Sequence, residues 1–141
     1  MVLNYACGDV LNWKGGEWYE VVSVSDDEVD PIYELARDPH SRRPVVSVPV
    51  ARQSEFTELA SRMKLVVRQL ACGAILKIQD RGGLSFYTLA GGDIHNETVD
   101  ELIAAKVVET PLYTRIPPEG REIKLTPRGQ RLAERLAMPS T

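Results

Sequence analysis

From residue 8 to residue 50, apolar residues come in short β-branched runs set apart by turn formers. Gly8-Asp9-Val10-Leu11-Asn12-Trp13 leads into Lys14-Gly15-Gly16-Glu17, and Trp18-Tyr19-Glu20-Val21-Val22-Ser23-Val24 follows. An acidic turn, Ser25-Asp26-Asp27-Glu28, precedes Pro31-Ile32-Tyr33-Glu34-Leu35-Ala36, and a loop through Asp38-Pro39-His40 precedes Val45-Val46-Ser47-Val48-Pro49-Val50. Four such runs in so short a stretch predict a small antiparallel β unit. Gly15-Gly16 supplies the positive φ that a tight hairpin requires. The period then changes. Phe56, Leu59, Ala60, Met63, Val66, Val67 and Leu70 recur at spacings of three and four. That spacing predicts an amphipathic helix over 54–71, capped by Ser54 and stopped at Gly73. Runs 74–79 and 84–89 flank Asp80-Arg81-Gly82-Gly83 and predict a hairpin, after which Gly91-Gly92 breaks the chain.

A second helix is expected over 96–106, with Val99, Leu102 and Ile103 as its buried stripe and Asn96 as its cap. Val107-Val108-Glu109 starts a strand. Two more, Leu112–Arg115 and Glu122–Leu125, flank the turn Pro117-Pro118-Glu119-Gly120. Thr126-Pro127 reads as the N-cap and first residue of a closing helix whose apolar face is Leu132, Ala133 and Leu136. The fold class expected is α+β: residues 1–50 form a small antiparallel β-barrel, residues 51–141 form a helix-and-hairpin domain, and the two pack together. The 141 residues suffice for one core without disulfides, whereas either part alone is near the lower size limit.

Composition narrows the function classes. No apolar run reaches the about 18 residues that a membrane-spanning helix needs. Met1-Val2-Leu3-Asn4-Tyr5 has neither the basic start nor the apolar stretch of a signal peptide, so a cytoplasmic location is expected. Cys7 and Cys72 stand far apart, which fits a reducing compartment and no cysteine metal site. Cys72 is expected to be buried. His40 and His95 are the only histidines and share no ligand spacing. Asp26-Asp27-Glu28-Val29-Asp30 lacks the glycine and distal glutamate of a calcium loop. None of the glycine pairs is a phosphate loop, and no serine lies in a nucleophile elbow. A non-enzymatic protein without cofactor or metal is the expectation. The net charge of −3 is unevenly spread: residues 1–50 hold four Lys/Arg against nine Asp/Glu, and residues 51–141 hold thirteen against eleven. An acidic front and a mildly basic tail suggest two surfaces with different partners.

Two stretches carry a resemblance. Thr98-Val99-Asp100-Glu101-Leu102-Ile103-Ala104-Ala105-Lys106-Val107-Val108-Glu109, with Ile123-Lys124-Leu125-Thr126-Pro127-Arg128-Gly129 after it, resembles the second half of a winged helix-turn-helix domain of bacterial regulators. The likeness spans about residues 54–137. It implies a recognition helix at about 96–106 and a wing at about 110–125 near DNA phosphates. The nucleic-acid-binding residues it implies are Asn96, Thr98 and Lys106 on the helix, Arg115, Arg121 and Lys124 on the wing, and Arg128 and Arg131 on the closing helix. Gly8-Asp9-Val10, Gly15-Gly16 and Trp18–Val24 are similar to the opening of small SH3-like barrels of the Tudor and KOW sort, which bind peptides or nucleic acids. The chain departs from the winged-helix pattern in two ways. Its recognition helix carries Glu97, Asp100 and Glu101, which oppose phosphate, and the family's second helix falls on Ser85–Leu89, which reads as a strand. Two functions therefore stay open. One is a nucleic-acid-binding regulator. The other is a protein-interaction adaptor or inhibitor, docking through Glu97, Asp100, Glu101, Trp13 and Trp18. A homodimer is compatible with both, and no membrane partner is expected.

Overall fold

A computed structural model describes residues 2–25, 29–111 and 115–137. Among these residues it is an α+β structure with two antiparallel sheets, three α-helices and one 3₁₀ turn. The first sheet contains β1 (Val10–Trp13), β2 (Trp18–Val24), β3 (Ile32–Ala36), β4 (Val46–Pro49) and β5 (Phe56–Glu58) in the order β4-β3-β2-β1-β5. Lys14 (φ 55°) and Gly15 (φ 70°), rather than Gly15 and Gly16, take the positive φ in the turn between β1 and β2, which the Gly16 amide closes on the Trp13 carbonyl. The cross-strand pairs Leu11–Tyr19, Val21–Leu35 and Tyr33–Val48 place one row of side chains on a common face. Phe56 and Val50 complete that core. β4 and β5 are opposite edges, and among the described residues no ladder joins them into a closed barrel.

The chain between β4 and β5 corrects the first helix expectation. Val50–Glu55 is a 3₁₀ turn, and Phe56–Glu58 pairs with β1. Ser54 therefore caps no α-helix, and α1 begins at Ser61 and ends at Ala71. Phe56 matched the helical spacing, but its ring is held edge-on by Tyr5 and Tyr33 in the sheet core. The stop at Gly73 (φ 101°) is as expected: the Gly73 and Ala74 amides bond back to Leu70 and Gln69, closing the helix in a Schellman motif.

The second sheet contains β6 (Leu76–Arg81), β7 (Leu84–Leu89), β8 (Gly92–Ile94) and β9 (Arg121–Ile123) in the order β8-β7-β6-β9. Gly82 and Gly83 form the β6–β7 turn, and Ala90 and Gly91 form the β7–β8 turn, all four at positive φ. The second turn returns the chain as an edge strand where the glycine pair was expected only to break it. α2 runs from Asn96 to Ala104 and α3 from Pro127 to Ala137. The expected strand at 107–109 reduces to one bridge, Val108–Leu125, and the last strand is Arg121–Ile123. The expected strand at 112–115 falls mostly outside the described residues. Met63, Val66 and Val67 of α1, Val99 and Leu102 of α2, and Leu132 and Ala133 of α3 share one core with Leu76, Ile78 and Tyr87.

The two lobes meet on the back of the first sheet. Val10 and Glu20 pair across β1 and β2, and Glu20 and Ala36 pair across β2 and β3. This row faces away from Leu11 and Val21, as strand alternation requires, and all three residues are buried. Val10 belongs to the second lobe's core, and Trp18 packs against it. Among the described residues, no helix is long and apolar enough to cross a membrane.

Candidate docking surface around helix α2

The strongest local chemistry sits in α3, and it is structural. Thr126 caps the helix as expected: its hydroxyl accepts the Gly129 amide at 3.1 Å and donates to the Lys106 carbonyl at 2.6 Å. That brings Gly129 against the Val107 carbonyl so closely that a Cβ there would collide with it. One position earlier, Arg128 is fully buried. Its guanidinium donates to Ala105 O at 2.9 Å, Ala36 O at 3.1 Å and Arg37 O at 2.7 Å. Burial pulls its pKa down to about 10, against the pull of Glu20, so it stays charged at neutral pH. Arg131 makes two bonds to the Glu20 carboxylate, at 2.6 and 2.7 Å, and Glu20 is itself inaccessible. That carboxylate raises the Arg131 pKa. Arg135 sits 3.4 Å from Asp9. Arg128 and Arg131, expected on phosphate, are instead spent between the lobes, and Arg128 cannot reach a ligand at all.

The other expected residues are scattered. Thr98 is buried in the first turn of α2, which removes it as a base reader. Asn96 is exposed, but His95 occupies the N-cap position and no side chain caps the helix. Lys106 is exposed just past the C-terminus of α2 in a left-handed conformation (φ 60°), where its amide and that of Val107 close the helix. Arg115 is exposed and Arg121 half-buried, and an Arg121 Nη2–H donates to the Arg115 carbonyl at 3.0 Å. Lys124 is exposed, with exposed Glu109 and Glu122 beside it in the β-bridged segment. Of the expected phosphate contacts, only Lys106, Arg115, Arg121 and Lys124 remain as accessible cations.

The aromatic residues of the first lobe do not form an open patch. Tyr19 and Tyr33 are core residues. Trp13 is half-buried, and its Nε1–H donates to Glu55 at 3.1 Å, with Lys14 and Arg52 against its ring. Arg52, with Trp13 and Lys14 in support, holds the Glu55 carboxyl at about 2. Trp18 is half-buried against the second core and lines a cleft of about 320 Å³ with Arg37 and Lys106. Cys72 is exposed at the end of α1, against expectation, as is Cys7.

What does collect on one surface is acidic. Glu97, Asp100 and Glu101 are all exposed, at the i, i+3 and i+4 spacing of one helix face. None of them forms an ion pair with a described residue. Beside their N-terminal end lies an open groove of about 880 Å³ between the β7–β8 pair and the start of α2. Leu84, Phe86 and Ile94 give it apolar walls, and Asp93 and Glu97 give it an acidic rim. Arg81, the one Lys or Arg among the described residues that line it, lies 5.2 Å from the centre of the Phe86 ring. Ser85, His95 and Asp93 line the same groove, but no hydrogen bond joins their side chains into a catalytic relay. Among the described residues, no three His, Cys, Asp or Glu side chains gather to hold a metal. The reading of 74–89 as a hairpin missed the groove. Its only signal was an apolar Leu84 directly after a Gly-Gly turn, and Leu84 is 76% exposed.

Comparison with family models, with curated proteins and with solved structures returned no match to this chain.

Proposed function

We propose that the chain is a non-catalytic adaptor that presents the acidic face of α2 to a basic segment of a protein partner. The observation that carries this reading is the division of charge. Glu97, Asp100 and Glu101 are exposed and form no ion pair with a described residue, while the arginines that would have drawn the closing helix to phosphate are consumed inside the molecule. Three uncompensated carboxylates on one helix face steer a cationic partner and repel a polyanion. The winged-helix and SH3-like readings of the two lobes belong to the same proposal. For the first lobe they are supported by the antiparallel order of β1 to β4. For the second they are supported by the succession α1, β6, α2, β9, α3, with β7 and β8 standing where the family's second helix would be.

The competing nucleic-acid reading keeps Lys106, Arg115, Arg121 and Lys124. Anisotropy titration of a random-sequence duplex at about 50 and about 200 mM salt, the range in which phosphate-driven affinity falls steeply, separates the two. The expected result is no saturable duplex binding at the lower salt. Quantitative capture with the wild-type chain and with a Glu97→Gln/Asp100→Gln/Glu101→Gln variant should show a basic protein retained by the first and lost by the second. Tight duplex binding that weakens in Arg115→Ala and Arg121→Ala would overturn the adaptor reading.

A further inference from the structure

The groove beside α2 is also a gap in a sheet edge. β8 is the outer strand, but it is only three residues long and pairs with Tyr87, Thr88 and Leu89 alone. Beyond Ile94 the chain turns away into α2, so among the described residues the Leu84–Phe86 half of β7 has no strand neighbour on that side. Antiparallel pairing alternates, and a two-residue turn makes its flanking residues a hydrogen-bonded pair. Arg81–Leu84 is such a pair, and the register then points the backbone groups of Leu84 and Phe86 toward β6. It points those of Ser85 outward, on the same side as the Tyr87 and Leu89 groups that meet β8. The Ser85 N–H and C=O therefore face the groove where a further residue of β8 would have stood.

The side chains around the gap specify what fits. Leu84 and Phe86 share the outer face of β7 with Thr88, while Ser85 shares the other face with Tyr87, toward α2. A strand laid along this edge would put the residues opposite Leu84 and Phe86 against apolar side chains. The residue opposite Ser85 would point toward the start of α2, where Glu97 lines the groove and Asp100 and Glu101 follow on the exposed helix face. The charge at this surface is negative: Asp93, Glu97, Asp100 and Glu101 stand against Arg81 alone.

We propose that the open edge at Leu84–Phe86 takes an extended partner segment of alternating apolar and basic residues, added to the sheet as a strand that continues the line of β8. The proposal rests on the adaptor reading and names its partner chemistry. Strand addition draws affinity from main-chain hydrogen bonds and specificity from alternate side chains, so both parts can be tested separately.

The probe is a fluorescein-labelled peptide of four Val-Lys repeats, titrated into the full chain. Saturable binding is expected, with none for the Val-Glu counterpart. N-methylation of the lysines, the residues that would pair with Ser85, should weaken binding at least tenfold, whereas N-methylation of the valines should leave it within threefold. Leu84→Asp should weaken it at least fivefold. Hydrogen exchange of the Ser85 amide should slow at least tenfold at saturation, a readout that needs no substitution in the protein. No saturable binding, or an unprotected Ser85 amide in the saturated complex, overturns the proposal. If the lysine-methylated peptide binds as well as its parent and the Glu97→Gln/Asp100→Gln/Glu101→Gln variant loses it, strand addition is overturned while the adaptor reading stands on the carboxylates. If both peptide and captured partner fail, the two readings fall together.

Discussion

Arg128 shows how much a single buried cation can organise. An unpaired guanidinium in an apolar seam would be prohibitive, yet three backbone carbonyls from two lobes accept its protons. Arg128→Ala would leave the three carbonyls unsatisfied in a fresh cavity, and we expect a loss of about 3 kcal/mol or more by urea unfolding. A loss below about 1 kcal/mol would mean that water replaces the guanidinium without penalty. Glu55 offers a pH test. Arg52, then Trp13 and Lys14, lower its pKa from 4.5 to about 2 in the folded chain. A carboxyl depressed on folding stabilises above its unfolded pKa, and that contribution is lost as pH falls through the folded one. The stability difference between wild type and Glu55→Gln should therefore be constant above pH 4.5 and shrink toward pH 2. A difference that does not change over that window would contradict the assignment.

At the scale of elements, α3 does more than close the second lobe. Its first turn is seated by Thr126 on Lys106 and by the Arg128 amide on Pro39, and its next turn sends Arg131 into the back of β2. Removing one member of a buried ion pair leaves the other charged and desolvated, so Arg131→Ala is expected to cost about 3–5 kcal/mol. Glu20→Gln/Arg131→Met, which removes both charges, should recover much of that loss in the same unfolding assay. If the double variant is as unstable as the single one, the pair is not the source of the effect. The same element bears on the proposed docking face of α2. Val99 and Leu102 are held by the core and the Lys106 turn is held by α3, and the exposed Glu97, Asp100 and Glu101 form no ion pair with a described residue.

For the whole molecule, the consequence is mechanical unity. Val10, Glu20 and Ala36 bury the back of the first sheet under the second lobe, and neither lobe alone has the size of a secure domain. The chain should therefore unfold in one transition. In a Trp18→Phe background, Trp13 fluorescence reports the first lobe and helical circular dichroism reports the second, since all three α-helices belong to it. Coincident urea curves are expected, and two separated midpoints would show that the lobes melt independently.

Period and turn chemistry alone determined most of the elements. The β-branched runs of 8–50, the Gly82-Gly83 hairpin, the Thr126-Pro127 helix start and the Gly73 stop are local features, set by backbone sterics within a few residues. The α+β class follows from them. Where sequence reasoning failed, a non-local contact had won. Phe56 fits a helical stripe, but β1 and the Tyr5–Tyr33 cluster claim it. Glycine at 91 and 92 reads as a break until β7 is there to pair with the returning strand. The role of a charged residue is the least legible of all, because charge in sequence does not say which way a side chain points. Arg128 and Arg131 look like surface cations of a basic helix, and only the docking of α3 on the first sheet makes them internal. Glu97, Asp100 and Glu101 could be read as one exposed face because helical spacing is local. That no described residue pairs with them, and that no described strand covers the sheet edge beside them, was decided by the tertiary packing alone.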